Sequence, residues 1–268
     1  VSASTAVTTT SPTYALRRAA PTRYVDHVMG MPVSLALRGV HRDSRLARRA
    51  WEAVTADLRR ADEVFSTYRA DSWVSRFNRG EAPAPTPLVE EVLAIGEAAE
   101  RESEGAFSVH LVGSDGRAWL DPSGVVKGWA VERAARHLLS LPGTDFCLAV
   151  AGDMRCHVTS ATSPAWRIGM TDPMATTRLL ATVEVRDGGL ATSGTSARGG
   201  HVLDGRTGRP VVGLAQVTVV ADTLTAADVA ATTALALGHD AVPWLEARPR
   251  TRAWVIPDDG SPMVRLGE

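Results

Sequence analysis

The sequence predicts a mixed α/β fold of the α+β kind, and three observations carry that expectation. A partly alternating stretch, 23–38, reads as a strand pair. Two amphipathic helices follow it. A run of short strands then leads into a late helix at 226–238. Strands and helices alternate irregularly along the chain, which argues against a doubly wound parallel sheet.

The elements follow in order. The pair over 23–38 breaks near Met29-Gly30, where a turn fits. Leu46, Ala50, Trp51, Val54, Leu58 and Phe65 recur at helical spacing and predict a helix over 43–65. Ser72 is placed to cap a short helix that runs to Phe77 and ends near Asn78-Arg79-Gly80. Pro87 opens a helix that reaches Glu104 and is stopped by Gly105. From Asp121 a Gly-containing loop leads to a helix over about 127–140. Strands are expected near 146–151, 154–159, 165–170, 178–186 and 214–220. The helix 226–238, a short helix at 240–247 and a strand at 252–256 complete the chain. No internal repeat is visible, and residues 21–268 read as one domain behind a flexible tail, 1–20.

The chain has 268 residues, of which 44% are hydrophobic and 22% charged, ample for a buried core. A formal net charge of −1 provides no global field to gather nucleic acid or anionic membrane, so an anionic ligand needs local donors. No apolar run reaches membrane-spanning length. The Ser/Thr/Ala-rich start has neither an apolar signal core nor a lipidation cysteine, so a cytoplasmic protein is expected. Cys147 and Cys156 flank a Gly-Asp turn and are expected as free buried thiols. Zinc-type Cys/His spacing is not present. Of the 29 basic residues, all but Lys127 are arginine. A lone ammonium in a sequence that otherwise uses guanidinium points to a site where the two are not equivalent.

Three segments carry chemistry. In Asp121-Pro-Ser-Gly-Val-Val-Lys127-Gly128, a Gly-bearing loop feeding a helix offers backbone N–H groups to phosphate, and Lys127 adds a point charge. A capped surface helix would read the same, and the spacing is not that of a Walker A loop. In the stretch from Ala191 to Gly208, Ser193, Gly194, Arg198, His201 and Arg206 gather donors suited to pyrophosphate, with an imidazole for proton transfer. The pair Ser193 and His201 lacks the Gly-x-Ser-x-Gly elbow of a serine hydrolase. In Thr225-Ala-Ala-Asp228-x-x-x-Thr232, the aspartate fits a capping box with Thr225. Asp228 and Thr232 also share one helix face, where a carboxylate and a hydroxyl suit a hard cation.

Taken together and in this order, these segments resemble the ApbE family of FAD:protein FMN transferases. His27-Val-Met29-Gly30-Met31 is similar to the family's opening strand. Phe65-Ser66-Thr-Tyr68 with Ser72-x-x-Ser75-Arg76-x-Asn78, Gly152-Asp153, and Trp166 through Pro173 follow its pattern. So do Thr192-Ser193-Gly194, His201, Arg206-Thr207-Gly208 and Ala227-Asp228-x-x-Ala231-Thr232. The resemblance implies an ApbE-like, T-fold-related architecture with a flavin cleft between two lobes. It implies FAD as substrate and Mg²⁺ held by Asp228, Thr232 and a backbone carbonyl near Gly124. Asp121, Lys127, Ser193 and Gly194 would contact FAD, and Met29 and Tyr68 would lie against the flavin or adenine. Ala106, Phe107 and Ser108 would line the same site, with His201 near the scissile pyrophosphate. Lys127, Asp228 and His201 are thereby the expected catalytic residues. Three departures stand out: Gly105-Ala106-Phe107-Ser108-Val109-His110 replaces the family's Phe-Asp-Pro-Thr, Ala151 replaces a glycine, and Gly205 replaces a proline.

The implied reaction moves FMN from FAD to a Ser or Thr of a target flavoprotein and releases AMP. Charge spread over the phosphoryl oxygens would be met by Mg²⁺ and Lys127. Water in place of the protein hydroxyl would give an FAD pyrophosphatase, and no turnover at all a flavin-binding protein.

Overall fold

A computed structural model describes residues 20–112, 116–195 and 202–267. The first expected tail, and with it residues 1–19, lies outside the described residues, as do Arg198 and His201.

Strands β1 (Thr22–Val28) and β2 (Met31–Gly39) form the expected hairpin. Its turn holds Met29 and Gly30 at φ of 58° and 69°, the left-handed pair that matches strand twist. For methionine that conformation costs about 1–2 kcal/mol. Helix α1 (Arg45–Phe65) is capped by Ser44, whose Oγ accepts from the Ala47 N–H at 3.2 Å. Its buried stripe is Ala47, Ala50, Val54, Leu58, Ala61 and Phe65. Leu46 was expected on that face but is half exposed, because position 47 is the one in helical phase with 50, 54 and 58.

Helix α2 (Trp73–Asn78) is capped by Ser72 as expected. Helix α3 (Pro87–Glu102) opens on its proline and stops two residues before the expected end, where Glu104 and Gly105 turn left-handed. A small hairpin of β3 (His110–Val112) and β4 (Ala118–Leu120) follows. Its strands are three residues long, too short for a period to be read.

Helix α4 (Ser123–Leu139) begins four residues before the expected position. The Asp121 carboxylate accepts from the Ser123 N–H at 3.0 Å and holds that first turn. Gly124 therefore lies inside the helix, and Lys127 in its second turn rather than in a loop.

Strands β5 (Thr144–Val150), β6 (Asp153–His157), β7 (Trp166–Asp172) and β8 (Ala175–Val185) match the expected run to within a few residues. Strand β9 (Gly188–Gly194) was not expected, since its hydroxyls and glycines read as loop. Short β10 (Leu203–Asp204) and β11 (Arg209–Pro210) pair with each other. Then come β12 (Leu214–Ala221), α5 (Leu224–Leu237), α6 (Ala241–Glu246), β13 (Arg252–Pro257) and β14 (Val264–Leu266).

One antiparallel sheet orders eight strands as β1-β2-β5-β6-β9-β12-β13-β14. Val33, Leu35, Leu37, Phe146, Leu148, Ala191, Val217 and Val219 belong to the core that α1, α4 and α5 bury. The opposite face carries Cys156, Leu190, Val220 and Trp254, covered by Ile168, Met170, Val183 and Val185 of the β7–β8 ribbon. Both faces are thus covered over the central strands, and β12 is buried along nearly its whole length, Gln216 and Thr218 included.

Helices α4 and α5 cross at Gly128. A Cβ there would stand 2.6 Å from Asp228 Cβ and 2.8 Å from the Leu224 carbonyl oxygen, so only glycine admits the approach. The start of α5 is fixed by the same neighbour: Glu132 accepts from the Leu224 N–H at 2.6 Å, and Thr223 caps the helix through the Ala226 N–H. The capping box expected between Thr225 and Asp228 does not form, because the helix begins before both.

Candidate active site

A cleft of about 350 Å³ opens where several chain turns meet. Its walls are the β1–β2 turn, the end of α1, the loop at 107–111, the first turns of α4, the β5–β6 turn, β9 and one face of α5.

At its floor Lys127 Nζ lies 2.7 Å from Asp153 Oδ2 and 3.4 Å from Asp228 Oδ1. Both carboxylates are buried, and the lysine side chain keeps 24% of its surface exposed toward the cleft. Burial opposes the ammonium charge, but the carboxylates of Asp228 and Asp153 outweigh it and hold the Lys127 pKa above its ordinary value. Burial pushes the Asp228 carboxyl up to about 7 against the pull of Lys127. Asp228 Oδ2 accepts from the Gly128 N–H at 2.8 Å, so the aspartate is built into the helix crossing rather than capping its own helix.

One turn along α5, Thr232 Oγ1 lies 3.0 Å from Ser193 Oγ on β9. Gly124 comes close to both Thr232 and Phe107: a Cβ on it would stand 3.3 Å from Thr232 Cγ2 and 2.8 Å from the Phe107 ring. Gly124, Asp228 and Thr232, the expected metal ligands, all line the cleft. Among the described residues, no group of three His, Cys, Asp or Glu side chains is arranged to hold a metal by itself. What the wall offers is the Asp228 carboxylate and the hydroxyls of Thr232 and Ser193. That all-oxygen set fits a hard cation that completes its shell with water and ligand phosphate.

The remaining expected contacts divide. Met29, Tyr68, Phe107, Ser108, Asp121, Ser193 and Gly194 line the cleft. Tyr68 is 92% exposed at the mouth, a ring with little of its own chain to pack against. Phe107 is buried, and Ser108 Oγ donates to Glu100 Oε2 at 3.0 Å. Asp121 accepts from Ser123 and holds the start of α4. Ala106 is fully buried behind the wall, where its carbonyl accepts from the Gly205 N–H at 2.9 Å. Arg206, expected as a phosphate donor, is turned onto Asp204 as a two-pronged pair at 2.9 and 3.0 Å and does not line the cleft. His201 lies outside the described residues.

Asp153 was not expected as a site residue. Its signal in the sequence is Gly152-Asp153, which follows the family pattern but by itself reads as a hairpin end until β5 and β6 are paired.

Known proteins share this sequence pattern and this fold. The model of the ApbE family matches residues 29–119 and 110–255. An FAD:protein FMN transferase of Vibrio cholerae is 24% identical over 239 residues, covering 68% of this chain and 72% of that protein. One of Escherichia coli K12 is 22% identical over 279 residues, covering 81% and 79%. The crystal structure of the ApbE protein from Thermotoga maritima superposes with a TM-score of 0.77 at 20% identity, covering 92% of this chain and 97% of that one. The protein is thus a transferase with a mixed α/β fold. The chain belongs to the ApbE family.

Proposed function

We propose that the chain is a Mg²⁺-dependent FAD:protein FMN transferase. It would attach FMN from FAD through a phosphoester to a Ser or Thr of a target flavoprotein and release AMP. The observation that supports this most is the Lys127 ammonium, 3.4 Å from Asp228 in a cleft whose next wall residue is Thr232.

Each group has work matched to its chemistry. The apolar wall of Met29 and Phe107, with Tyr68 at the mouth, suits the planar rings of FAD. Lys127, beside the floor, meets the diphosphate with a compact charge and steadies the negative charge that grows on the leaving AMP phosphate. Ser193 offers a hydroxyl to the same oxygens. Asp228, Thr232 and the Gly124 carbonyl would hold Mg²⁺, which supplies Lewis-acid polarisation of the phosphoryl oxygens when bound. The acceptor hydroxyl attacks the FMN phosphorus, its proton passes to a base, and the bond from that phosphorus to the AMP oxygen breaks. His201 is our choice for the base. This reading takes 21–268 as one flavin-handling unit and keeps a cytoplasmic location as an expectation. No helix among the described residues is long and apolar enough to cross a membrane.

The test is incubation of the purified protein with FAD, Mg²⁺ and a co-expressed flavoprotein acceptor. A mass gain equal to FMN on a Ser or Thr, with stoichiometric AMP, is expected. FMN and AMP without a labelled acceptor would make it an FAD pyrophosphatase, and FAD left intact for hours a flavin-binding protein.

A further inference from the structure

Asp153 follows the Ala151-Gly152 turn between β5 and β6, and its side chain is 2% exposed. Oδ1 accepts from the Thr192 N–H of β9 at 3.0 Å, which fixes the carboxylate plane. Oδ2 is thereby aimed at Lys127 Nζ, 2.7 Å away. The same ammonium stands farther from Asp228 Oδ1, at 3.4 Å. Lys127 therefore has two buried carboxylates to choose from, and its shorter contact is with Asp153 rather than with Asp228, the carboxylate one helical turn from Thr232.

That choice matters if Asp228 is to take a divalent cation. An ammonium seated on Asp228 would occupy its oxygen and repel the incoming ion in a site screened poorly by water. We propose that Asp153 is a positioning residue: it draws the Lys127 ammonium off Asp228 and so leaves the Asp228 carboxylate to the divalent cation. The inference rests on the metal-dependent reading above and adds to it a second carboxylate with a separate task. Asp153 touches neither cation nor substrate in this role and acts through Lys127.

The experiment is a double-mutant cycle on metal binding. Mn²⁺ stands in for Mg²⁺ and is titrated into the 268-residue protein with FAD present, free Mn²⁺ being read by its electron paramagnetic resonance signal. Asp153→Asn keeps an oxygen for the Thr192 N–H but loses the charge. With Lys127 present it should weaken Mn²⁺ binding at least tenfold. In a Lys127→Met background the same change should weaken it less than threefold, because no ammonium remains to be diverted. Equal factors in the two backgrounds would mean that Asp153 acts only through its long-range field, and would overturn the proposal. So would a wild-type protein that takes up no Mn²⁺. If circular dichroism finds Asp153→Asn unfolded, Asp153→Ser, a smaller acceptor for the Thr192 N–H, takes its place in the cycle with the same expectation. A protein that transfers FMN but gives equal factors sinks this inference alone. One that follows the cycle but transfers no FMN sinks the transferase reading and leaves this inference standing.

Discussion

The Gly128 N–H donates to Asp228 Oδ2 at 2.8 Å, tying the second turn of α4 to the cleft face of α5. The contact exists because Gly128 has no side chain to hold the helices apart. It joins packing to chemistry, since the residue that permits the crossing also orients the carboxylate.

Replacing Gly128 by alanine should therefore harm both. The added methyl meets Asp228 Cβ at 2.6 Å and the Leu224 carbonyl at 2.8 Å, backbone and short side chain that have little room to yield. Overpacking of this kind costs about 1–3 kcal/mol. Denaturant titration should register that loss, and FMN transfer should fall with it as Asp228 is displaced.

On the proposed function, shape should matter at Lys127 as well as charge. Lys127→Met should lower turnover by about 10²-fold at saturating FAD, the scale seen when one donor to a developing charge is removed. Lys127→Arg keeps the charge, but a planar fork does not fit a point between two carboxylates, so a loss of at least ~10-fold is expected. AMP release measured with both variants checks this, and full activity in Lys127→Arg would remove the lysine from the mechanism.

On the proposed function, Asp228 should have separable roles. Asp228→Asn retains an oxygen for the Gly128 N–H and should fold with a melting temperature close to the parent, yet lose Mg²⁺-dependent turnover. Asp228→Ala takes away the side-chain acceptor of that N–H, a loss of about 1 kcal/mol on top of the lost turnover. Thermal melts run beside the AMP assay separate the two effects.

Gly205 explains one departure from the family pattern. Its N–H donates to the Ala106 carbonyl at 2.9 Å, and a Cβ would stand 2.5 Å from the Gly105 carbonyl and 2.8 Å from Ser108 Cβ. The unusual Gly105–Ser108 segment and the glycine at 205 thus fit one another. Restoring proline at 205 removes the donor and introduces the clash, so Gly205→Pro should destabilise by at least ~1 kcal/mol, measurable by urea unfolding.

Cys147 and Cys156 face each other across β5 and β6, with 3.6 Å between sulfurs and both thiols free. The hydrogen bond from Cys156 lowers the Cys147 pKa, and giving that bond raises the pKa of Cys156, which burial pushes higher still. Only thiolate reacts with iodoacetamide, so Cys147 should be alkylated first as pH rises. Peptide mass mapping reads the order, and Cys147→Ser should leave little labelling in the folded protein.

Much of this was legible in the chain itself. The hairpin at 22–39, the amphipathic α1 and the serine cap at 72 follow from period and capping chemistry, which act between neighbours in sequence. Other boundaries were not. Gly124 reads as a loop residue, yet it lies in α4, where its bare Cα is needed against Phe107 and Thr232. Asp228 reads as part of a cap, yet the start of α5 is set by Glu132, ninety-two positions away. Strand β9 reads as loop because its Thr, Ser and Gly residues have no apolar alternation, and it is held as a strand by pairing with β6 and β12.

The sequence by itself determined the materials: a lone lysine among arginines, an Asp and a Thr one helical turn apart, and a family pattern in order. Only the tertiary structure decided that Lys127 lies between Asp228 and Asp153, and that Arg206 belongs to Asp204 rather than to the cleft. Period and capping are local and can be read along a chain. A charge contact depends on how closely two distant elements approach, and here that distance is set by a glycine at a helix crossing and a carboxylate at a strand turn.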